Sequence, residues 1–203
     1  MVHLFALDSE SDEPDGRRED SAQAAWLRNQ LAASTACYKV VYFHHAPYGS
    51  GRHGSHDTMR WPFADWGAQA VINGHDHLYE RLEVDGIPYF VNGAGGAKLY
   101  DFKKRPKLPA EVDSVARYNE DNGAMLVTAS TTGITYQFFT VDGLLIDEYT
   151  LDKACAGFSS TSTPMATTVP DATITPTAAP TATVTANNSA NGPFHPHLFL
   201  MVR

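Results

Sequence analysis

Val71-Ile72-Asn73-Gly74-His75-Asp76-His77-Leu78-Tyr79-Glu80-Arg81 sets two imidazoles two residues apart, directly after a short apolar run. Such a run reads as a buried strand. The glycine ahead of the pair is expected to let the chain turn sharply enough for both rings to face one point. Neutral imidazole is the commonest metal ligand, so the segment reads as part of a metal site. A second part lies upstream, where Lys39-Val40-Val41-Tyr42-Phe43 runs into His44-His45-Ala46-Pro47-Tyr48. Between the two, Met59 to Ala68 reads as loop and helix, long enough for a crossover between parallel neighbours. Parallel strands of one sheet end on the same edge, where α/β proteins bind ligands. His45, His75 and His77 are therefore expected to converge.

Gly74-His75-Asp76-His77-Leu78-Tyr79-Glu80-Arg81 and Phe43-His44-His45-Ala46-Pro47-Tyr48 resemble two consecutive blocks of the calcineurin-like metallophosphoesterases, in their purple acid phosphatase branch. The resemblance spans roughly residues 2–150. It implies an α/β fold, a metallophosphoesterase-type β-sandwich flanked by helices. It also implies two divalent or trivalent metal ions, drawn from iron, zinc or manganese, with His45 and His75 on one and His77 on the other. His44 falls on a non-ligand position. Two cations roughly 3.5–4 Å apart can polarise a phosphoryl oxygen and activate water for in-line attack. Three further blocks of that family, Asp-x-His, Gly-Asp and Gly-Asn-His, do not occur in these 203 residues. The chain thus resembles a carboxyl-terminal half, incomplete at its amino terminus. A missing amino-terminal half is an expected partner, and a single bound ion is expected for this chain by itself.

The loop Gly49-Ser50-Gly51-Arg52-His53-Gly54-Ser55-His56-Asp57-Thr58-Met59-Arg60 lies between the two histidine blocks. The resemblance places it over the substrate's phosphate. His53 is the candidate catalytic residue, able when protonated to hydrogen-bond a phosphoryl oxygen or to donate to the leaving group. His56 is its rival, and Arg52 reads as a solvated cation. Asp76 reads as orienting an imidazole or facing water. Tyr79, Glu80 and Arg81 read as support for the loop. His3, His44, His195 and His197 read as surface or satisfied core residues. Asn92-Gly93-Ala94-Gly95-Gly96 reads as a tight structural loop at the rim and lacks nucleotide-binding spacing.

The organisation around these motifs follows from turn and cap signals. Asp20 with Gln23 resembles a cap for a helix over Ala22 to Ala33, with Trp26, Leu27 and Leu31 as its buried stripe. Strands are expected at about 38–43, 70–73 and 87–91, then a loop over 97–120. From Gly123 to Leu151, three β segments turn at Thr132-Gly133 and Asp142-Gly143, a meander expected to close one sheet. The domain is read as residues 1–155. Residues 156–203 turn rich in Thr, Ser, Pro and Ala, a disordered stalk or linker with a short apolar end.

A formal net charge of −8 excludes a broad nucleic-acid face, and no apolar run is long enough for a membrane span. Cys37 and Cys155 have no metal-type spacing and read as two isolated thiols, a pairing being unsupported by sequence. The tail and the family branch point to a secreted or cell-surface location. The leading functional expectation is metal-dependent hydrolysis of phosphate monoesters. A phosphodiesterase or nucleotidase on the same fold, and a non-catalytic surface-displayed binding module, are the alternatives.

Overall fold

A computed structural model of the chain describes residues 1–104, 108–110 and 112–155, and the backbone of 200–202. Strands β1 (Val2–Ala6), β2 (Tyr38–Tyr42), β3 (Ala70–Asn73), β4 (Tyr79–Val84), β5 (Ile87–Asn92) and β6 (Asp113–Tyr118) form a sheet ordered β1-β2-β3-β5-β4-β6. Its first four members are parallel, while β4 runs antiparallel to both neighbours. Strands β7 (Gly123–Ala129), β8 (Gly133–Thr140) and β9 (Leu145–Asp152) form a second sheet, with β10 (Leu200–Val202) parallel to β7 at its edge.

Burial explains the layers. β3 is buried at every position, as befits a strand covered on both faces. β8 alternates half-buried with buried, presenting one face to the core. Tyr38, Val40, Ile72, Tyr79 and Phe90 of the first sheet pack against Met125, Val127, Tyr136 and Phe138 of the second. On the other face, Phe5, Val41, Phe43, Leu82 and Tyr89 pack under helix α1 (Ala22–Ala33) and the aromatic segment Trp61 to Trp66. The result is the two-sheet sandwich with a helical flank that the family resemblance implies.

Several sequence expectations change here. Ser21, not Asp20, caps α1, its hydroxyl accepting from the Ala24 amide. Trp26 points outward at 46% exposure, whereas Ala24, Leu27 and Leu31 are fully buried at helical spacing. Residues 59–68 form no α-helix. A 3₁₀ turn at Asp57–Met59 leads into tight turns that end at Gly67, whose φ is +94°, and these turns drive Trp61 and Phe63 into the core. Tyr79–Val84 is a strand rather than a loop support alone, and 97–120 contains β6. The meander β7-β8-β9 does form one antiparallel sheet, separate from the first. The expected stalk over 156–199 lies outside the described residues. The backbone at the apolar end pairs with β7.

Cys37 and Cys155 are joined in a disulfide across 118 residues, which corrects the reading of two isolated thiols. The bond ties the entry of β2 to the exit of β9. Tyr38 reinforces the same junction, its hydroxyl lying 3.0 Å from the carbonyls of both Ser130 and Lys153.

A second clamp joins the sheets. Arg81 donates twice to Asp147, at 2.7 and 2.9 Å, and the Tyr79 hydroxyl donates to the same carboxylate at 2.7 Å. Burial raises the Asp147 pKa, but the hydrogen bonds from Arg81 and Tyr79 outweigh it and leave the group below its ordinary value. A depressed carboxyl pKa means stability that is complete above the ordinary value near 3.8 and lost as pH falls through the folded-state value. The decline of unfolding free energy with acid, followed by urea denaturation from pH 6 to 3, is therefore expected to be shallower in Asp147→Asn than in the unaltered chain.

Candidate metal centre

The two histidine blocks meet because their strands do. The Phe43 amide donates to the Ile72 carbonyl, and the Gly74 amide donates to the His44 carbonyl at 3.0 Å, carrying the β2–β3 ladder past the strand ends. Asn73, fully buried, donates through Nδ2 to the Phe43 carbonyl. The sharp turn falls on His75 itself, with φ 68°, rather than on Gly74. A non-glycine residue in the left-handed region is uncommon, and such strain concentrates at functional positions. Tight bonds from Asp76 N to Gly74 O and from Leu78 N to Asp76 O complete the bend.

Five imidazoles gather there. Ring centroids of His45 and His75 are 4.4 Å apart, with His44 at 4.7 and 4.8 Å from them. His53 lies 4.1 Å from His75, and His56 lies 4.6 Å from His45. The structure thus brings His45, His75 and His53 together, and it adds the rival His56 and the discounted His44. Nitrogens of His44, His45 and His75 all lie within 4.8 Å of one another. His77 stands apart from that group, stacked on Tyr100 at 4.2 Å. Tyr100 also contacts His53 and carries the Arg52 guanidinium over its ring.

Electrostatics keep the inner rings neutral. Burial first, then the neighbouring histidines, push the His45 pKa down to about 4 and that of His75 to about 3. The pKa of His56 is lowered chiefly by burial, then by His53. Neutral imidazole is the ligating form, so burial prepares these rings for a cation. The surroundings also bias the tautomers. Nδ1 of His77 faces the Lys98 carbonyl at 3.0 Å, an acceptor only, so in the neutral ring Nδ1 carries the proton and Nε2 keeps its lone pair. Nδ1 of His45 lies 2.9 Å from Ser9 Oγ, which also accepts from the His45 amide. This donor set suits a transition metal such as zinc, iron or manganese.

Most of the side chains that hold the histidines in place belong to no motif. Ser9 reaches His45 because Gln23 of α1 binds the main chain of Asp8 and Gly16, and Arg17 donates to the Ser9 carbonyl. Asp76 is 2% exposed and accepts from the amides of His53 and Gly54, so it orients the loop backbone and not an imidazole or water. Gly51 is required beside it, since a Cβ there would overlap the Asp76 carboxylate. Gly93 likewise has no room for a Cβ against the Asp76 carbonyl, in keeping with a structural loop at 92–96.

Residues 3–79 match the family model described as calcineurin-like phosphoesterase. Over that stretch the chain is similar to the calcineurin-like metallophosphoesterases, in their purple acid phosphatase-like branch. Human tartrate-resistant acid phosphatase type 5 is 32% identical over 92 residues, covering 43% of this chain and 28% of that protein. Purple acid phosphatase 7 of Arabidopsis thaliana is 24% identical over 131 residues, covering 63% of this chain and 39% of its own length. The chain thus spans less than half the length of these relatives. A purple acid phosphatase from yellow lupin seeds shares the fold with a TM-score of 0.62 at 19% identity, over 75% of this chain and 31% of that one.

Proposed function

We propose that this chain carries the histidine-bearing edge of a metal-dependent hydrolase of phosphate monoesters. The carrying observation is the convergence of His45 and His75 on one point, while His77, set apart against Tyr100, is held in a tautomer that leaves Nε2 for a ligand. His45 and His75 would hold one ion and His77 would serve a second. Bound ions supply Lewis acidity at the phosphoryl oxygens and lower the pKa of water. His53 is exposed at the mouth, beside His75, where its ring can hydrogen-bond a phosphoryl oxygen or protonate the leaving group. Asp76 holds the His53 amide, so the ring's distance to the substrate is set by a buried carboxylate. The disulfide and the family branch favour a secreted or cell-surface location. Among the described residues, no helix is long and apolar enough to cross a membrane.

Metal content by mass spectrometry and p-nitrophenyl phosphate hydrolysis, measured on one preparation, test this reading. The unaltered chain is expected to retain metal and turn over substrate, and the His45→Ala, His75→Ala double variant is expected to lose both. Retained metal without hydrolysis would favour a non-catalytic binding module. Absence of metal from the unaltered chain would overturn the reading.

A further inference from the structure

We propose that His44 is a third ligand of the ion held by His45 and His75, closing a three-imidazole centre that differs from the ligand set the family resemblance implies. The inference rests on the metal reading above and adds a residue to it. His44 Nε2 lies 2.9 Å from His75 Nδ1. Two nitrogens on one tetrahedral zinc, each about 2.05 Å from it, are roughly 3.3 Å apart. Nitrogens this close share either one proton or one cation, and a displacement of a few tenths of an ångström converts the first arrangement into the second. His45 completes the group, since one nitrogen of each ring lies within 4.8 Å of the others.

The backbone is built for this approach. The His44 carbonyl is fixed by the Gly74 amide, so the main chains of His44 and His75 are locked side by side. The left-handed conformation of His75 then turns its ring onto that of His44. Ser9 engages Nδ1 of His45, which leaves Nε2 of that ring as the nitrogen to turn toward an ion. His53 and His56 contact the rims of His75 and His45, lining a fourth, open position. Three imidazoles with one open vertex is a zinc arrangement compatible with chemistry. His77 contributes nothing to this trio, because its ring is committed to Tyr100 and the Lys98 carbonyl.

The test is one equivalent of Co(II) added to the full chain, with proton NMR used to count the strongly shifted imidazole N–H resonances, one per coordinated histidine. The unaltered chain is expected to show three. His44→Phe, which keeps a ring and removes the nitrogens, is expected to show two and to bind Co(II) more than about 10-fold more weakly, beyond the lower bound for an outer-shell residue. His44→Gln keeps a hydrogen-bonding group toward His75 and is expected to show two as well, which guards against misfolding of the phenylalanine variant. His77→Ala is expected to keep three. Loss of a resonance in His77→Ala but not in the His44 variants would overturn this inference and leave the proposed function standing. No Co(II) binding by the unaltered chain would overturn both.

Discussion

Glu80→Ala is expected to lower the unfolding free energy by about 3 kcal/mol, the order expected when buried donors lose their acceptor and a void is left. Glu80 is fully buried. Its carboxylate accepts from the Ser50 amide at 2.8 Å and from the hydroxyls of Ser50 and Ser114, each at 2.6 Å. Arg117 adds a charged donor at 3.2 Å. Alanine would leave the buried Ser50 donors without an acceptor and open a void beneath the loop, and these two costs add. Ser50 begins the segment that presents Arg52, His53 and His56, so the same change is expected to weaken metal retention without touching a ligand. Ser114→Ala leaves Glu80 with its other donors and is expected to cost about 1 kcal/mol, the net value of one hydrogen bond. Urea denaturation of both variants checks the ordering, and equal costs would show that Glu80 is not the centre of the network.

The sequence was legible where local pattern and tertiary demand agreed. The apolar runs at 38–42 and 70–73, and Leu27 and Leu31 of the α1 stripe, are buried as their periodicity requires, whereas Trp26 of that stripe is exposed and Ala24 takes the inward position. Histidine blocks at the ends of two strands led to His45, His75 and His77 because parallel strands deliver their carboxyl ends to one edge. The first two meet, His77 lies against Tyr100 instead, and His53 comes from the resemblance rather than from the strands. Tyr79-Glu80-Arg81 hid a strand because its polar residues satisfy distant partners. Glu80 finds Ser50 and Ser114, Arg81 finds Asp147 across 66 residues, and none of those pairings leaves a local mark. Strand β6 alternates exposed with half-buried, and its valine falls on the exposed face, so apolar and polar residues do not alternate in step with burial. Ser9 belongs to no motif and reaches His45 only through the packing of α1. His44 was discounted from a block position, whereas its nearness to His75 depends on a backbone conformation that sequence pattern does not encode.

Reduction of the Cys37–Cys155 bond, or Cys37→Ser, is expected to be the other large loss. The bond closes a loop of 118 residues that contains strands β2 to β9 and every imidazole of the site. In the chain-entropy account a loop of that length restricts the unfolded ensemble by roughly 5 kcal/mol, and measured values for native bonds commonly reach about 2–5 kcal/mol. The folded side of the equilibrium changes little. Tyr38 still bonds the Ser130 and Lys153 carbonyls, and the Cys155 amide still donates to Thr131. The shift is therefore expected in the denaturation midpoint under dithiothreitol, with near-native circular dichroism before the transition. The metal edge is expected to survive reduction at low temperature, because Ser9, Asp76 and Glu80 hold the histidine loops independently of the disulfide. Since glutathione would keep this pair reduced in a cytosol unless the bond were unusually stable, such a loss would also tie full stability to an oxidising compartment. A midpoint that does not move under reductant would place the whole stability of the junction on Tyr38 and the strand ends, and would remove the disulfide as support for an extracellular setting.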